Sequence, residues 1–309
     1  MTNAHRCLHR AREEMLSSPW GHQIFRPILH EIFERGSLLL YCKAMDQITS
    51  PQNALYKTLK KLSSSHKDRR RLNQTLVEGV HLTQSYLQHK GAPKRCIVTE
   101  EALDNKEVSK IIAQCNTYGV DYTVVSNAHF KEISVVENGI GIVFIVSMPT
   151  AKEIPSINDS ALLLDDLQDP GNVGTVLRTA AAAGITQVYC SVGTASAWSP
   201  KVLRAGMGAQ FVVDVYQNVN LKQLIQSAKV QVLAATLSGK KTIYETNLTK
   251  PTAWLIGNEG NGISKELLKH SVNEVKIPQE SAVESLNVAA ATAICLFEQT
   301  RQQKYRLTE

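Results

Sequence analysis

The chain has 309 residues, of which 43% are hydrophobic and 20% charged. This composition is typical of a folded protein of about two domains and excludes a disordered or fibrous chain. The longest apolar run, from Gly139 to Met148, is too short for the ~20 residues of a membrane-spanning helix, so we expect no membrane anchor. The six cysteines form no C-x-x-C pair and have no histidine at zinc-ligand spacing. Because such cysteines are typical of reducing compartments, we predict a cytoplasmic protein without a metal.

The net charge of +6 is unevenly distributed, and residues 47–150 carry +4 of it. Seven basic residues lie within fifteen positions: Lys57, Lys60, Lys61, Lys67, Arg69, Arg70 and Arg71. A polyanion such as RNA would bind this surface, and more weakly as salt rises. A solvated helix face is the alternative, and it is the commoner origin of a basic run taken alone.

Residues 1–46 differ from the rest of the chain and show no pattern of a complete domain. Within this segment, the sequence pattern favours one helix, over residues 27–35. Two interpretations stay open. The favoured one is an N-terminal extension of uncertain status, translated from an early start codon, and the other is a small additional element that contacts RNA.

Residues 47–148 are predicted to form a small α/β domain. In chain order, the pattern predicts a helix over 53–62, an apolar-periodic stretch over 75–87, a strand at 96–99, a helix over 106–118, and strands at 121–125 and 140–146. The first helix is expected to open at Pro51, and the second to end at Gly119. Residues 149–160 are the predicted linker, since they combine prolines with asparagine and aspartate.

Residues 161–309 alternate short apolar strands with helices. The predicted strands lie at 161–164, 187–191, 210–215, 230–235, 252–256 and 274–277. A helix over 286–303 closes the chain, because this segment is rich in alanine. Such alternation implies a parallel sheet, with ligands in the loops at the carboxyl ends of the strands.

Three of these loops carry polar residues in patterns that point to chemistry. The first runs from Asp165 to Arg178 and leads into a predicted helix over 175–183. Asn172 and Gly174 lie near the start of that helix, where free backbone N–H groups favour a phosphate, and Arg178 could reach the same anion. The loop lacks the G-x-G-x-x-G pattern, so a Rossmann dinucleotide site is not supported.

The other two loops lie at 256–264 and 277–287. The former has three glycines in six residues, which let a ligand approach the backbone, and its Glu259 favours contact with hydroxyls or a cation. A turn that needs glycine only for positive φ is the alternative. In the latter, Ser285 and Asn287 are placed to cap the final helix, and capping alone would account for them.

Together, the three loops resemble the signature motifs of the SpoU/TrmH family, whose members are ribose 2′-O-methyltransferases of RNA with the SPOUT fold. The matching motifs are Asp169-Pro-x-Asn-x-Gly174 with Arg178, then Gly257-Asn-Glu-Gly260, then Ile277-Pro with Ser285-Leu-Asn-Val288. The segment Ser50 to Leu82 resembles the family's N-terminal substrate-binding domain, which has an L30e-like fold. The resemblance covers about 48–305 and does not reach 1–46.

The resemblance implies an α/β architecture with a C-terminal SPOUT methyltransferase domain over 161–309. That domain would have a parallel sheet and a deep trefoil knot, an exception to the rule that chains do not thread loops. A small L30e-like α/β domain over 47–148 would precede it and bind the RNA substrate. The family is homodimeric and uses S-adenosylmethionine. By position, the cofactor residues would be Gly257, Ile277 and Leu286 through their backbone groups, with Thr236 and Leu237 lining the same pocket.

The resemblance also implies the catalytic residues: Arg178 at the centre, with Asn172, Glu259, Ser285 and Asn287 around it. The reaction is attack by a ribose 2′-hydroxyl on the sulfonium methyl. A guanidinium is an awkward general base, because its pKa lies above ~12. Our hypothesis is that Arg178 grips the adjacent phosphate and stabilises the developing alkoxide, while a phosphate oxygen or water accepts the proton.

Two questions stay open at this point: whether the protein is an enzyme, and which RNA it acts on. A non-catalytic RNA-binding protein on the same scaffold is the alternative to an enzyme. Among RNA substrates, a separate basic domain suits a large folded target, which favours ribosomal RNA over tRNA. Base identity cannot be predicted, since bases in RNA are read from splayed nucleotides and loop shape.

Overall fold

The structure is a computed structural model that describes residues 47–137, 139–149, 153–270, 273–280, 282 and 284–305. The predictions for 1–46 lie outside the described residues. From Ile48 onward, the described residues belong to one compact unit that contains two sheets. Among the helices of the described part, none is long and apolar enough to cross a membrane.

The first sheet has five strands in the order β1-β4-β3-β5-β2. Its strands are β1 (Gln47–Ile48), β2 (Gln74–Glu78), β3 (Arg95–Thr99), β4 (Tyr122–Val125) and β5 (Ile142–Ser147). The helices around it are α1 (Ala54–Ser64), α2 (His66–Leu72), α3 (Val80–Lys90), α4 (Lys106–Thr117) and α5 (Asn127–Ile133). Strand β5 pairs antiparallel with both β2 and β3, whereas β3 and β4 are parallel. The sheet is therefore mixed.

Two predictions in this part need correction. Helix α1 begins after Asn53, whose side chain accepts hydrogen bonds from the amides of Leu55 and Tyr56, so asparagine and not Pro51 starts the helix. The stretch 75–87 is not one element, because Gly79 at φ 96° separates strand β2 from helix α3. Periodicity missed the change because β2 is a continuous buried run without alternation.

The second sheet has seven strands, all parallel, in the order β10-β12-β9-β11-β6-β7-β8. The strands are β6 (Ala161–Leu164), β7 (Gln187–Cys190), β8 (Asp214–Tyr216), β9 (Gln231–Ala235), β10 (Lys241–Thr242), β11 (Thr252–Ile256) and β12 (Asn273–Lys276). The helices are α6 (Pro170–Ala183), α7 (Pro200–Ala205), α8 (Leu221–Gln226), α9 (Lys265–Leu268) and α10 (Val288–Lys304). The predicted parallel sheet is confirmed.

Residue burial shows that this sheet is covered on both faces, as parallel sheets usually are. Strand β6 is completely buried, with Leu162 facing one apolar core and Leu163 the other. A strand covered on both faces reads as a continuous apolar run, as in parallel sheets flanked by helices. The strand predicted at 210–215 is wrong in part, since Ala209–Phe211 is a 3-10 helix and β8 follows it. The ring of Phe211 packs edge-on against Tyr86, which takes it out of the sheet.

The two sheets are joined by a shared core. The hydroxyl of Thr75 in β2 donates to the carbonyl of Trp198 at 2.7 Å. The rings of Tyr86 and Phe211 meet with centroids 5.4 Å apart. Apolar residues of both parts belong to the same buried cluster, so this contact fixes the position of the first sheet relative to the second. The exact domain boundaries at 148 and 161 stay predictions.

Candidate active site

The polar loops of the second sheet lie on one edge. Strands β12, β9, β11 and β6 are neighbours and run parallel, so their carboxyl ends meet at the same edge. The loops that follow β6, β11 and β12 are the three that the sequence singles out. The sheet topology therefore brings together motifs that are far apart along the chain.

Three of the five predicted catalytic residues are joined by hydrogen bonds between their side chains. The amide nitrogen of Asn172 donates to Glu259 Oε1 at 3.1 Å. The amide oxygen of Asn172 accepts from Asn287 Nδ2 at 3.0 Å. We call these three residues the amide–carboxylate cluster. Each comes from a different segment of the chain, Asn172 from the first turn of α6 and the other two from loops, so the cluster is a tertiary feature of the fold.

Helix α6 positions Asn172 through its first turn. Asp169 is the N-cap residue, and its Oδ1 accepts from the Asn172 N–H at 2.7 Å, while Pro170 occupies the first helical position. The Asn172 N–H is therefore already bonded, and phosphate binding by other free amides at this helix start stays a prediction. Gly174 serves packing instead, because a Cβ there would lie 2.5 Å from the Cβ of Ala205 in α7.

The loop after β11 holds Glu259 by a tight turn. Asn258 and Gly262 exchange two backbone hydrogen bonds of 2.9 Å, and Asn258 Nδ2 donates to the carbonyl of Asp166 at 2.8 Å. A Cβ on Gly257 would lie 2.3 Å from the backbone of Gly262, so the loop has no space for a side chain there. Only Gly262 of these glycines has a positive φ. Positive φ therefore accounts for Gly262 and close packing within the loop for Gly257, whereas approach of a ligand to this backbone stays a prediction.

The loop before α10 contributes Asn287, which has two roles. Its Oδ1 accepts from the amides of Ala289 and Ala290 and so caps α10, while its Nδ2 donates to Asn172. Capping is thus a correct but incomplete account of this residue. Ser285 is exposed and has no hydrogen-bond partner within the described part of the chain.

Arg178 does not join the cluster within one chain. It lies on α6 six residues after Asn172, which corresponds to about 9 Å along the helix axis. Its side chain is exposed, and among the described residues it has no hydrogen-bond or ion-pair partner. The guanidinium is therefore available to a group that this single chain does not supply.

The predicted cofactor residues lie at the carboxyl ends of β9, β11 and β12. Leu237 and Leu286 are 63% and 36% exposed, although both are large and apolar. The backbone amides of Ile277 and Leu286 have no acceptor within the described residues. Exposed apolar side chains beside unpaired amides suit an adenine base, which needs apolar contact on its faces and donors at its edge. The residues present therefore fit the adenosine part of S-adenosylmethionine.

Sequence reasoning missed Glu274, which contacts the predicted cofactor residue Thr236. Its Oε2 accepts from the Thr236 and Ser238 hydroxyls at 2.9 and 2.8 Å. Because these hydrogen bonds favour the charged form, they hold the pKa of Glu274 below its ordinary value. The contact depends on the pairing of β12 with β9, for which the sequence has no local signal.

The predicted RNA-binding residues divide into two groups. Six are exposed: Lys57, Lys60, Lys61, Lys67, Arg70 and Arg71. Two of these form ion pairs, Lys60 with Glu132 and Arg71 with Asp68, both at 2.7 Å. Arg69 is a correction, because it is only 7% exposed and its Nη1 donates to the carbonyls of Leu62 and Ser63 at the end of α1. It is a structural residue of this surface and not an exposed contact.

Comparison with known proteins agrees with this geometry. Residues 159–297 match the model of the SpoU rRNA Methylase family, and residues 53–143 match an MRM3-like substrate binding domain. An uncharacterized tRNA/rRNA methyltransferase of Synechocystis sp. is 34% identical over 83% of this chain and 94% of its own length. The 23S rRNA (guanosine(2553)-2′-O)-methyltransferase RlmP of Bacillus subtilis is 33% identical over 82% of this chain and 98% of its own length.

A solved structure with bound cofactor shows the same fold. The AdoMet-bound rRNA methyltransferase from Sinorhizobium meliloti superposes with a TM-score of 0.72 at 27% identity, over 83% of this chain and 98% of its own. The fold, the site and the comparisons thus define an RNA 2′-O-methyltransferase that uses S-adenosylmethionine. The alternative of a non-catalytic RNA-binding protein is therefore rejected. The chain belongs to the SpoU rRNA methylase family.

Proposed function

We propose that this protein methylates a ribose 2′-hydroxyl of large-subunit ribosomal RNA in the cytoplasm. The observation that carries the proposal is the amide–carboxylate cluster, in which Asn172 joins Glu259 and Asn287. Two relatives, RlmP of B. subtilis and RlmB of Pseudomonas putida, are named as 2′-O-methyltransferases of guanosine in 23S rRNA. The buried free cysteines of the described chain support a reducing compartment. Transfer RNA is the other substrate to test.

The cluster acts by orientation in this proposal. S-adenosylmethionine, when bound, supplies an electrophilic methyl group on a sulfonium sulfur. Glu259 fixes the Asn172 amide, and Asn172 and Asn287 keep the loops after β6 and β12 together at the edge where the ribose must enter. Holding the hydroxyl in line with the methyl group removes much of the entropic barrier of a reaction between two bound molecules.

We propose further that the active enzyme is a homodimer in which Arg178 of one protomer completes the site of the other. Arg178 is exposed on α6, and α6 packs against α10, which carries the exposed Phe297, 49% accessible. An exposed arginine and an exposed aromatic ring on two packed helices suit an interface between copies. The guanidinium would grip the phosphate next to the reacting ribose and stabilise the alkoxide. The trefoil knot stays a prediction from the family resemblance.

Mapping 2′-O-methyl groups in total RNA from a strain without this gene tests the substrate. We expect one ribosomal position to lose its methyl group and to regain it with the wild-type gene but not with Arg178→Lys, which cannot form the bidentate grip. Loss of a tRNA position instead would overturn the ribosomal assignment. Near-normal turnover by Arg178→Lys would contradict bidentate binding of the phosphate by Arg178.

A complementation assay tests the composite site. Arg178→Ala and Asn172→Ala are each expected to be inactive as homodimers. When the two variants are mixed and allowed to exchange subunits, half of the dimers are hybrids with one intact composite site, so about a quarter of wild-type activity should return. No recovery, with exchange verified by mass, would mean that Arg178 acts within its own protomer.

A further inference from the structure

A cleft of about 560 Å³ separates the end of α1 and the start of α2 from the loops after β7. Its lining contains none of the predicted cofactor residues, so it is distinct from the predicted adenosine site. The first sheet's part contributes the basic residues His66, Arg69 and Arg70, and the second contributes Lys201 of α7. The hydroxyl residues of the lining are Ser63, Ser64, Ser191, Thr194, Ser196 and Ser199. The described lining has no aspartate or glutamate, which favours an anionic ligand.

Arg69 makes the wall of this cleft unusually positive. The residue is 93% buried, since 7% of its surface is exposed. Its Nη1 donates to the carbonyls of Leu62 and Ser63, its Nε has no hydrogen-bond partner, and no carboxylate pairs with it among the described residues. Burial lowers the pKa of Arg69, which means that the protein environment leaves its charge poorly compensated. An anion in the cleft would supply that compensation.

The cleft adjoins the active-site edge. Pro170 lines it and lies two residues before Asn172. On the same wall, the Ser191 hydroxyl accepts from the Asp166 N–H at 2.8 Å, and the Asp166 carbonyl accepts from Asn258, the neighbour of Glu259. Two hydrogen bonds therefore connect the wall of the cleft to the loop that carries Glu259.

We propose that the interdomain cleft binds a backbone phosphate of the RNA substrate, beside the nucleotide that is methylated, with Arg70 and Lys201 as its charged contacts. The hydroxyls of Thr194 and Ser196 lie in the same lining as further hydrogen-bond donors. The inference rests on the RNA methylation activity proposed above. It adds a specific contact on the catalytic domain, since Lys201 lies outside the basic run of residues 57–71.

The test compares Lys201→Glu with Lys250→Glu in the full-length protein. Both lysines are exposed, but Lys250 lies before β11, at the opposite edge of the same sheet. The probe is protein-free ribosomal RNA from a strain without this gene. For Lys201→Glu we expect the Kd and the KM for RNA to rise at least tenfold, with the Kd for S-adenosylmethionine unchanged. The slope of log K against log salt should fall by about 1.

Two further measurements distinguish a contact with RNA from a site for a free anion. Ribosomal RNA that carries 4-thiouridine should crosslink to the segment from Ser191 to Lys201, and Ser196→Phe, which fills the cleft without changing charge, should reduce that crosslink.

Equal RNA affinity for Lys201→Glu and Lys250→Glu overturns the proposal. If pyrophosphate stabilises the wild type but not Lys201→Glu while RNA affinity is equal, the cleft is a site for a free anion, and the proposal is also wrong. If the wild type binds ribosomal RNA without methylating it, the proposed function fails, whereas the binding comparison still decides the cleft.

Discussion

Two substitutions of Asn287 separate its cap of α10 from the positioning role that we propose for it. In Asn287→Ala, α10 loses the acceptor that caps the Ala289 and Ala290 amides, which costs about 1 kcal/mol of unfolding free energy. For a chain of this size, that change lowers Tm by about 2 °C. In Asn287→Asp, the carboxylate still caps the helix and its charge suits the positive end of the helix dipole. The substituted carboxylate, however, has no N–H to donate to Asn172 Oδ1.

The carboxylate of the Asn287→Asp variant would instead attract the Asn172 amide nitrogen away from Glu259. We therefore expect this variant to keep the wild-type Tm within about 1 °C and to lose about tenfold in kcat/KM, which corresponds to ~1.4 kcal/mol, the scale of one positioning hydrogen bond. The assay is transfer of tritiated methyl groups to ribosomal RNA, with thermal unfolding measured on the same samples. The reasoning is refuted if Asn287→Asp is fully active, or if it melts as low as Asn287→Ala.

Three further predictions concern stability. Gly174→Ala places a Cβ 2.5 Å from a side chain of α7 and should cost about 1–3 kcal/mol in urea unfolding, whereas Gly260→Ala, with its nearest contact at 3.6 Å, should cost less than half of that. Burial raises the pKa of Glu78 above its usual 4.5, so this carboxyl contributes stability that is lost as pH rises through the raised value. Unfolding free energies of Glu78→Gln measured from mildly acidic pH to neutrality should therefore decline less than those of the wild type, and an unchanged slope would contradict this cause. Arg69→Ala should lower stability by about 2 kcal/mol, while Lys61→Ala should leave stability unchanged and weaken RNA binding; the reverse result would restore Arg69 as a surface contact.

The loops of the candidate active site could be predicted because each motif is local. Strand β11 is an apolar run that ends directly in Gly257-Asn-Glu-Gly260, and the parallel order follows from alternating strands and helices. These signals are enough to bring Asn172, Glu259 and Asn287 to one edge. They say nothing of which atoms bond, so the double role of Asn287 emerges only from the structure.

The remaining features depend on contacts between distant segments. Arg69 lies in a run of similar basic residues, and only the path of α1 decides that it turns inward to bond the carbonyls of Leu62 and Ser63. Glu274 meets Thr236 through strand pairing, which composition does not encode. Phe211 leaves its predicted strand because the neighbouring domain offers an aromatic contact. In each case tertiary packing overrides a local preference.

The hydrogen bonds that join the three site loops have a direction. Asn287 donates to Asn172, which donates to Glu259. The chain of hydrogen bonds therefore ends at a carboxylate, which only accepts, and each hydrogen bond polarises the next. The α10 cap fixes the orientation of the Asn287 amide, and the Glu259 carboxylate, which can only accept, fixes that of the Asn172 amide from the other side. With Glu259→Gln the terminal group gains donors, so the Asn172 amide would keep only the Asn287 contact as a constraint on its orientation, and the pattern of donors and acceptors at this edge would be less sharply defined.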